Sequence, residues 1–183
     1  MGTAAMKQKE LIALVRAELL AGLARYGVTD LPVKQGYQPT TQGRVTRCVY
    51  FWMLPNVKIG AQIRSTVTDP VTLQLRTKET QNWASTFQVG ALIPDDPTDD
   101  QQQTANDITM LLSQIVVSQP FITALTKQNA GLRDVTPIRN PQFVNEQDQF
   151  EYNPSFDFTV THKQSIMQLT DSIESVEFNI LRV

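Results

Sequence analysis

The chain contains one histidine and one cysteine, and their positions decide how much chemistry it can carry. His162 lies in "FDFTVTHKQS" and Cys48 in "RCVYFWML". A Cys–His or Ser–His pair needs nucleophile and base within hydrogen-bond reach, and a third group to orient the base. Cys48 opens the most apolar run of the sequence and reads as an inert core residue. His162 continues the alternation of Phe156, Phe158 and Val160, on the inward row of a strand. A lone His there is far more often packing, or a hydrogen-bond partner, than a base. No Ser stands in G-x-S-x-G. Neither G-x-G-x-x-G nor G-x-x-x-x-G-K-[ST] occurs among the eight glycines.

Acidic residues cluster once, in "DDPTDDQQQ" (95–103), which holds Asp95, Asp96, Asp99 and Asp100. The EF-hand pattern is absent, and Pro94 and Pro97 suggest no wrapping of carboxylates around a cation. No metal or other cofactor is therefore expected. A solvated loop is the plain reading. An electrostatic reading also exists: carboxylates lining a channel would repel DNA phosphates and keep DNA moving. Nucleic-acid recognition of the usual kind is disfavoured. The net charge is −2, and the basic residues are not interleaved with aromatics.

That net charge hides an asymmetry. Residues 1–91 carry 11 Lys/Arg against 5 Asp/Glu, a balance of +6, and residues 92–183 carry 5 against 13, a balance of −8. Chance can produce such a split. It also suits head-to-tail contact between identical copies. Arg44, Arg47, Lys58, Arg64 and Arg76 would then supply a basic surface, and Glu146, Asp148 and Glu151 an acidic one.

The elements that would position these residues follow from periodicity. A length of 183 residues fits one domain, large enough to bury roughly 70% of its unfolded surface. Nineteen Gln and twenty Thr favour half-buried extended structure. The single Cys excludes an intramolecular disulfide. No apolar run approaches the roughly 20 residues that span a bilayer. Residues 7–26 predict a helix, with Leu11, Ile12, Val15, Leu19 and Leu23 on one face and Gly27 as a left-handed cap. Its internal charges make it a helix of the mature protein rather than a signal peptide. Residues 30–44 hold two Pro and two Gly and read as a long loop or arm. A strand from Cys48 to Leu54, a turn at Pro55–Asn56 and a half-buried strand with Val57, Ile59, Ala61 and Ile63 inward predict a hairpin.

Further strands follow around Val71–Leu75 and through "ETQNWASTFQVGALIP". Ile108, Leu111, Leu112, Ile115 and Val116 give a regular helix capped by Thr104 or Asp107. A short helix starts at Pro120 with Ser118 as cap, then strands at 132–139, at 155–163 and in "ESVEFNILRV". The expected fold is a single α+β domain, helices packed on one face of a mostly antiparallel sheet. Its core should include Leu111, Leu112, Ile115, Phe156, Phe158, Val176 and Phe178.

One strand face poses a question. Beside the apolar Phe156, Phe158 and Val160 run Asp157, Thr159 and Thr161, a polar row nearly free of charge. Faces that meet another subunit often look like this, but so do exposed strand formers. The segment "IRNPQFVNEQDQFEYNPSFDFTVTHKQS" with "SVEFNILRV" resembles the neck terminator, or gateway, family of contractile-tailed phages. "ETQNWASTFQVGAL", "TANDI" and "KQGYQPTTQG" are similar to that family as well, so the resemblance runs from about residue 30 to the end.

The resemblance implies a tail-terminator-like fold and no catalytic residues. It implies a ring, usually hexameric, on the head-proximal end of the tail tube and sheath. Such a ring docks the head connector or collar and leaves a channel through which DNA passes unread. The place would be the virion neck, assembled in the bacterial cytoplasm, with no membrane partner. The acidic loop would then lie near the channel or its mouth. Two other readings are a different neck ring, such as a head-completion protein, and a small ligand-binding or enzymatic domain.

Overall fold

A computed structural model describes residues 6–36, 47–68, 75–94, 98–144 and 150–169. Helix α1 (Gln8–Arg25) leads, followed by strands β1 (Val33–Gln35), β2 (Cys48–Thr68) and β3 (Leu75–Leu92). Helices α2 (Ala105–Val117) and α3 (Gln119–Lys127) come next. Strands β4 (Gly131–Val135), β5 (Gln142–Val144), β6 (Phe150–Tyr152) and β7 (Ser155–Leu169) complete the order. One sheet runs β1-β2-β3-β7-β4, with β5 and β6 paired apart from it. Only β1 joins in parallel; the other described pairings are antiparallel. The expected α+β architecture is therefore the observed one.

Local sequence explains the helices. Leu11, Val15, Leu19 and Leu23 are buried at helical spacing on α1, and Gly27 closes it at φ +81°. The α2 start is a capping box. Thr104 Oγ1 accepts from Asp107 N at 3.2 Å, and Asp107 Oδ2 accepts from Thr104 N at 3.0 Å. Ser118 sits at the α3 N-cap, but its hydroxyl donates backwards to Ile115 O at 2.6 Å and caps nothing.

The helices cover one face of the sheet at its core end. Phe51, Phe87, Val89, Phe156, Phe158 and Val160 meet Leu112, Ile115, Phe121 and Leu125 there, all buried. Phe87 stacks on Phe158 at 5.4 Å and Phe121 meets Phe158 edge-on at 5.9 Å. Leu111 is only partly buried against this cluster. Val176 and Phe178 lie outside the described residues.

Two expectations are corrected. Pro55–Asn56 makes no turn, and residues 48–68 form one strand rather than a hairpin. The pairing with β3 shifts register between Met53 and Asn56, and again between Ile59 and Ile63, where Gly60 takes φ +67°. Bulges absorb the extra residues, and a Pro on an edge strand needs no ladder donor. The half of β2 expected to be half-buried is exposed, Val57 and Ile63 at 61% each. The second correction concerns the loop at 30–44. Val33–Gln35 pairs with Val49–Phe51, and Gly36 N donates to Phe51 O at 2.8 Å.

The polar row on β7 finds partners within the chain. Thr159 bonds Thr86 across the strands at 3.0 Å, and Thr161 donates to Gly131 O at 3.2 Å. Asp157 accepts from Arg139 at 2.7 Å. These bonds explain why hydroxyls replace free charges there.

Candidate functional site

The best candidate for a chemical site is a cleft at the α1 N-terminus. Met6, Gln8, Leu11, Met53, Asn56, Trp83, Ser85, His162 and Gln164 line its roughly 160 Å³. Ser85 Oγ lies 2.9 Å from His162 Nε2, the spacing of a nucleophile and its base. The rest of a triad is missing among the described residues. His162 Nδ1 is buried with no partner to orient the ring, as is Trp83 Nε1. Ser85 is 1% exposed and cannot meet a substrate. Burial holds His162 below its usual pKa. The pair is packing with one hydrogen bond, as the strand alternation suggested.

The other titratable candidates are equally enclosed. Burial pushes the Cys48 thiol up, which disfavours the reactive thiolate. Burial also pushes Tyr50 to about 12, although its hydroxyl hydrogen-bonds Asn153. Among the described residues no three His, Cys, Asp or Glu side chains gather as a metal would require. No single described helix is long and apolar enough to cross a membrane.

The surface is more informative. Beyond the level of Lys58, Trp83 and His162, the strands β2, β3 and β7 continue as a three-stranded blade past the cleft. The blade is hidden in the sequence because Pro55–Asn56 has the composition of a turn. The missing signal was a two-residue hairpin signature such as Asn-Gly, which Pro55–Asn56 lacks.

The predicted basic residues divide between two ends of the sheet. Arg47 immediately precedes β2 at the core end and pairs with Asp30 at 2.8 Å. Lys58, Arg64 and Arg76 belong to the other end, and Arg47 lies about 50 Å of strand from Arg64. Lys58 Nζ stands 5.6 Å over the Trp83 ring, and Arg64 pairs with Glu79 at 2.9 Å. These two share the helix side of the sheet, whereas Arg76 projects from the opposite face. Arg44, Glu146 and Asp148 lie outside the described residues, and Glu151 falls on β6 opposite Phe143.

Of the acidic loop, Asp99 and Asp100 are exposed, and Asp95 and Asp96 lie outside the described residues. Asp99 Oδ1 accepts from Gln101 N at 3.0 Å, and Gln102 N donates to Asp99 O at 3.1 Å. The loop follows the core end of β3, away from the blade. Among the described residues, the structure brings no acidic and basic candidates together into one patch.

A family model described as E217 gateway protein gp29 matches residues 10–172. The chain belongs to the E217 gateway protein gp29 family. The gateway family is structural, so this chain is a structural virion component and not an enzyme. Among solved structures, a PVC sheath/tube terminator of an extracellular contractile injection system, in its extended state, superposes with a TM-score of 0.50. Identity is 10%, and the match covers 94% of this gateway chain. The chain spans 64% of that terminator's length, and at this identity the likeness is one of fold. No curated protein matches the sequence.

Proposed function

We propose that the chain forms the ring, expected to be a hexamer, that caps the head-proximal end of a phage tail. The ring ends tube and sheath, docks the head connector or collar, and leaves a channel for DNA. The observation that carries this reading is the family match over residues 10–172, supported by the terminator fold. Assembly in the host bacterial cytoplasm belongs to the same reading.

The interface proposed within that ring is electrostatic in part. A copy presents some of Arg44, Arg47, Lys58, Arg64 and Arg76, and its neighbour some of Glu146, Asp148 and Glu151. Heterologous contacts of this kind close rings. Arg64 and Lys58 keep exposed positions at the blade, which supports their availability. Asp95, Asp96, Asp99 and Asp100 are placed at the channel or around its mouth, where negative charge keeps DNA sliding.

Symmetry-resolved imaging of intact necks tests the reading. The expected result is a closed ring of six copies of this chain between tail and connector. A single copy per neck, or a position away from the tail end, overturns it. In the same images the radius of Asp99 decides the loop: a site on the outer wall ends the channel assignment alone.

A further inference from the structure

Among the described residues, both edges of the three-stranded blade lack a partner strand. The outer edge of β2 is paired by β1 only as far as Phe51, and among the described residues no strand pairs with it beyond. The outer edge of β7 is paired by β4 only up to Thr161, and among the described residues it too runs on unpaired. Long open edges expose rows of backbone N–H and C=O groups that template further pairing.

Exposed apolar side chains gather mainly on these same two strands, with Leu75 at the tip of β3 also 42% exposed. Val57, Ile63 and Val67 on β2 are 61%, 61% and 40% exposed, and Ile166 and Met167 on β7 are 57% and 47%. The central strand β3 bears Arg76, Lys78, Glu79, Thr80 and Asn82 in that region instead. Apolar edges around a polar middle suit a blade that is covered at its sides and wet on its faces.

Strand direction then restricts the partner. Both β2 and β7 run antiparallel to β3, so they run parallel to each other. Rotation about a ring axis preserves direction and keeps each face on its own side. If blades stand edge to edge, β7 of one copy meets β2 of the next in parallel. Ile63, Val67 and Met167 all project from the face opposite the helices, so they meet on one side of the junction.

We infer that the occupant of both edges is a second copy of this chain, joined by parallel β7-to-β2 pairing into a continuous β-wall around the ring. This rests on the ring reading above and specifies its interface. The main-chain bonds of the junction supply adhesion, and the apolar edge residues set its register.

Cysteine pairs test it in assembled particles. Ile63 and Ser165 both stand level with Thr80 of the intervening strand, so in one blade they are two strand spacings apart, about 10 Å. That exceeds the Cα separation of roughly 7 Å beyond which a disulfide cannot form, so any bond between them joins two copies. Particles carrying Ile63→Cys with Ser165→Cys, or Ile63→Cys with Met167→Cys, are oxidised and run without reductant. The expected result is a ladder at multiples of 20.6 kDa in at least one pair, absent from either single variant. Bonding to a different protein overturns the inference.

A second variant, Ile63→Lys with Val67→Lys, places charge at exposed positions on the edge. Its occupancy on tails should fall by at least about tenfold while its Tm stays unchanged. Rings visible in neck images, with full occupancy of this variant and no ladder, overturn the β-wall and leave the ring intact. Necks without a ring remove the ring reading and the β-wall with it.

Discussion

Gly22 of α1 lies directly against the side chain of Ile115 of α2, with no room between them for a methyl group. Both belong to buried faces, so this contact sets how closely the two helices approach. Ordinarily Gly→Ala inside a helix adds up to about 1 kcal/mol of stability. Here Gly22→Ala is expected to destabilise by about 1–3 kcal/mol through overpacking. Denaturant unfolding measures the sign. Adding Ile115→Val should recover part of the loss, and a Gly22→Ala chain more stable than the parent contradicts the contact.

Phe158 joins the sheet to α3 through Phe87 and Phe121. Phe158→Ala should lower unfolding free energy by about 3–5 kcal/mol, from lost burial and a residual cavity. Met167→Ala, eleven paired positions along the same strand from Phe156 and exposed, should stay within about 0.5 kcal/mol in the unassembled chain. Equal effects would mean that the blade is buried in the monomer.

These two residues also mark how far the sequence could be read. Phe156, Phe158 and Val160 were legible because one-sided burial writes a period of two into the sequence. Leu112 and Ile115 were legible for the same reason at helical period. Beyond His162 the alternation stops carrying information, since none of the described helices covers either face of the blade there. The bulge between Met53 and Asn56 hid the continuity of β2 as well, because the strand advances three residues there against two on β3 and so resets the phase that alternation depends on. The reason for a glycine at position 22 is not written in α1 itself, because it lies on another helix. The charge clusters of the candidate interface were visible as composition, but nothing in composition places Arg47 and Arg64 at opposite ends of one strand.

The α2 capping box offers an independent measurement. Thr104→Ala removes the hydroxyl that accepts from Asp107 N, and should cost about 1 kcal/mol. Thermal unfolding reads the loss directly. Thr104→Ser should retain most of the stability, because it keeps the acceptor; equal losses in both variants would assign the effect to the methyl group instead.

His162 predicts a pH dependence with a defined sign. Burial lowers its folded pKa from the ordinary 6.5, so the unfolded chain binds the proton more readily. Its contribution to stability is therefore present above pH 6.5 and declines as pH falls from there through the folded pKa. Comparing Tm against pH for the parent chain and His162→Gln isolates this part of the curve. The parent should lose more stability on acidification over that interval, and superimposable curves would contradict the assignment.

The position of β3 in the sheet bears on how the chain emerges from the ribosome. Its pairing with β2 closes over a short span, Thr68 against Leu75, so this hairpin can form as soon as both strands are made. Its other edge waits for β7, which begins at Ser155, roughly 60 residues after β3 ends at Leu92. At about 5–20 residues per second that interval lasts several seconds, with an eighteen-residue strand edge open to other nascent chains. Arg76, Lys78 and Glu79 sit in the first third of this strand and discourage like strands from pairing with it. The same charges that keep the middle of the finished blade wet thus protect the half-made protein from its own siblings during translation.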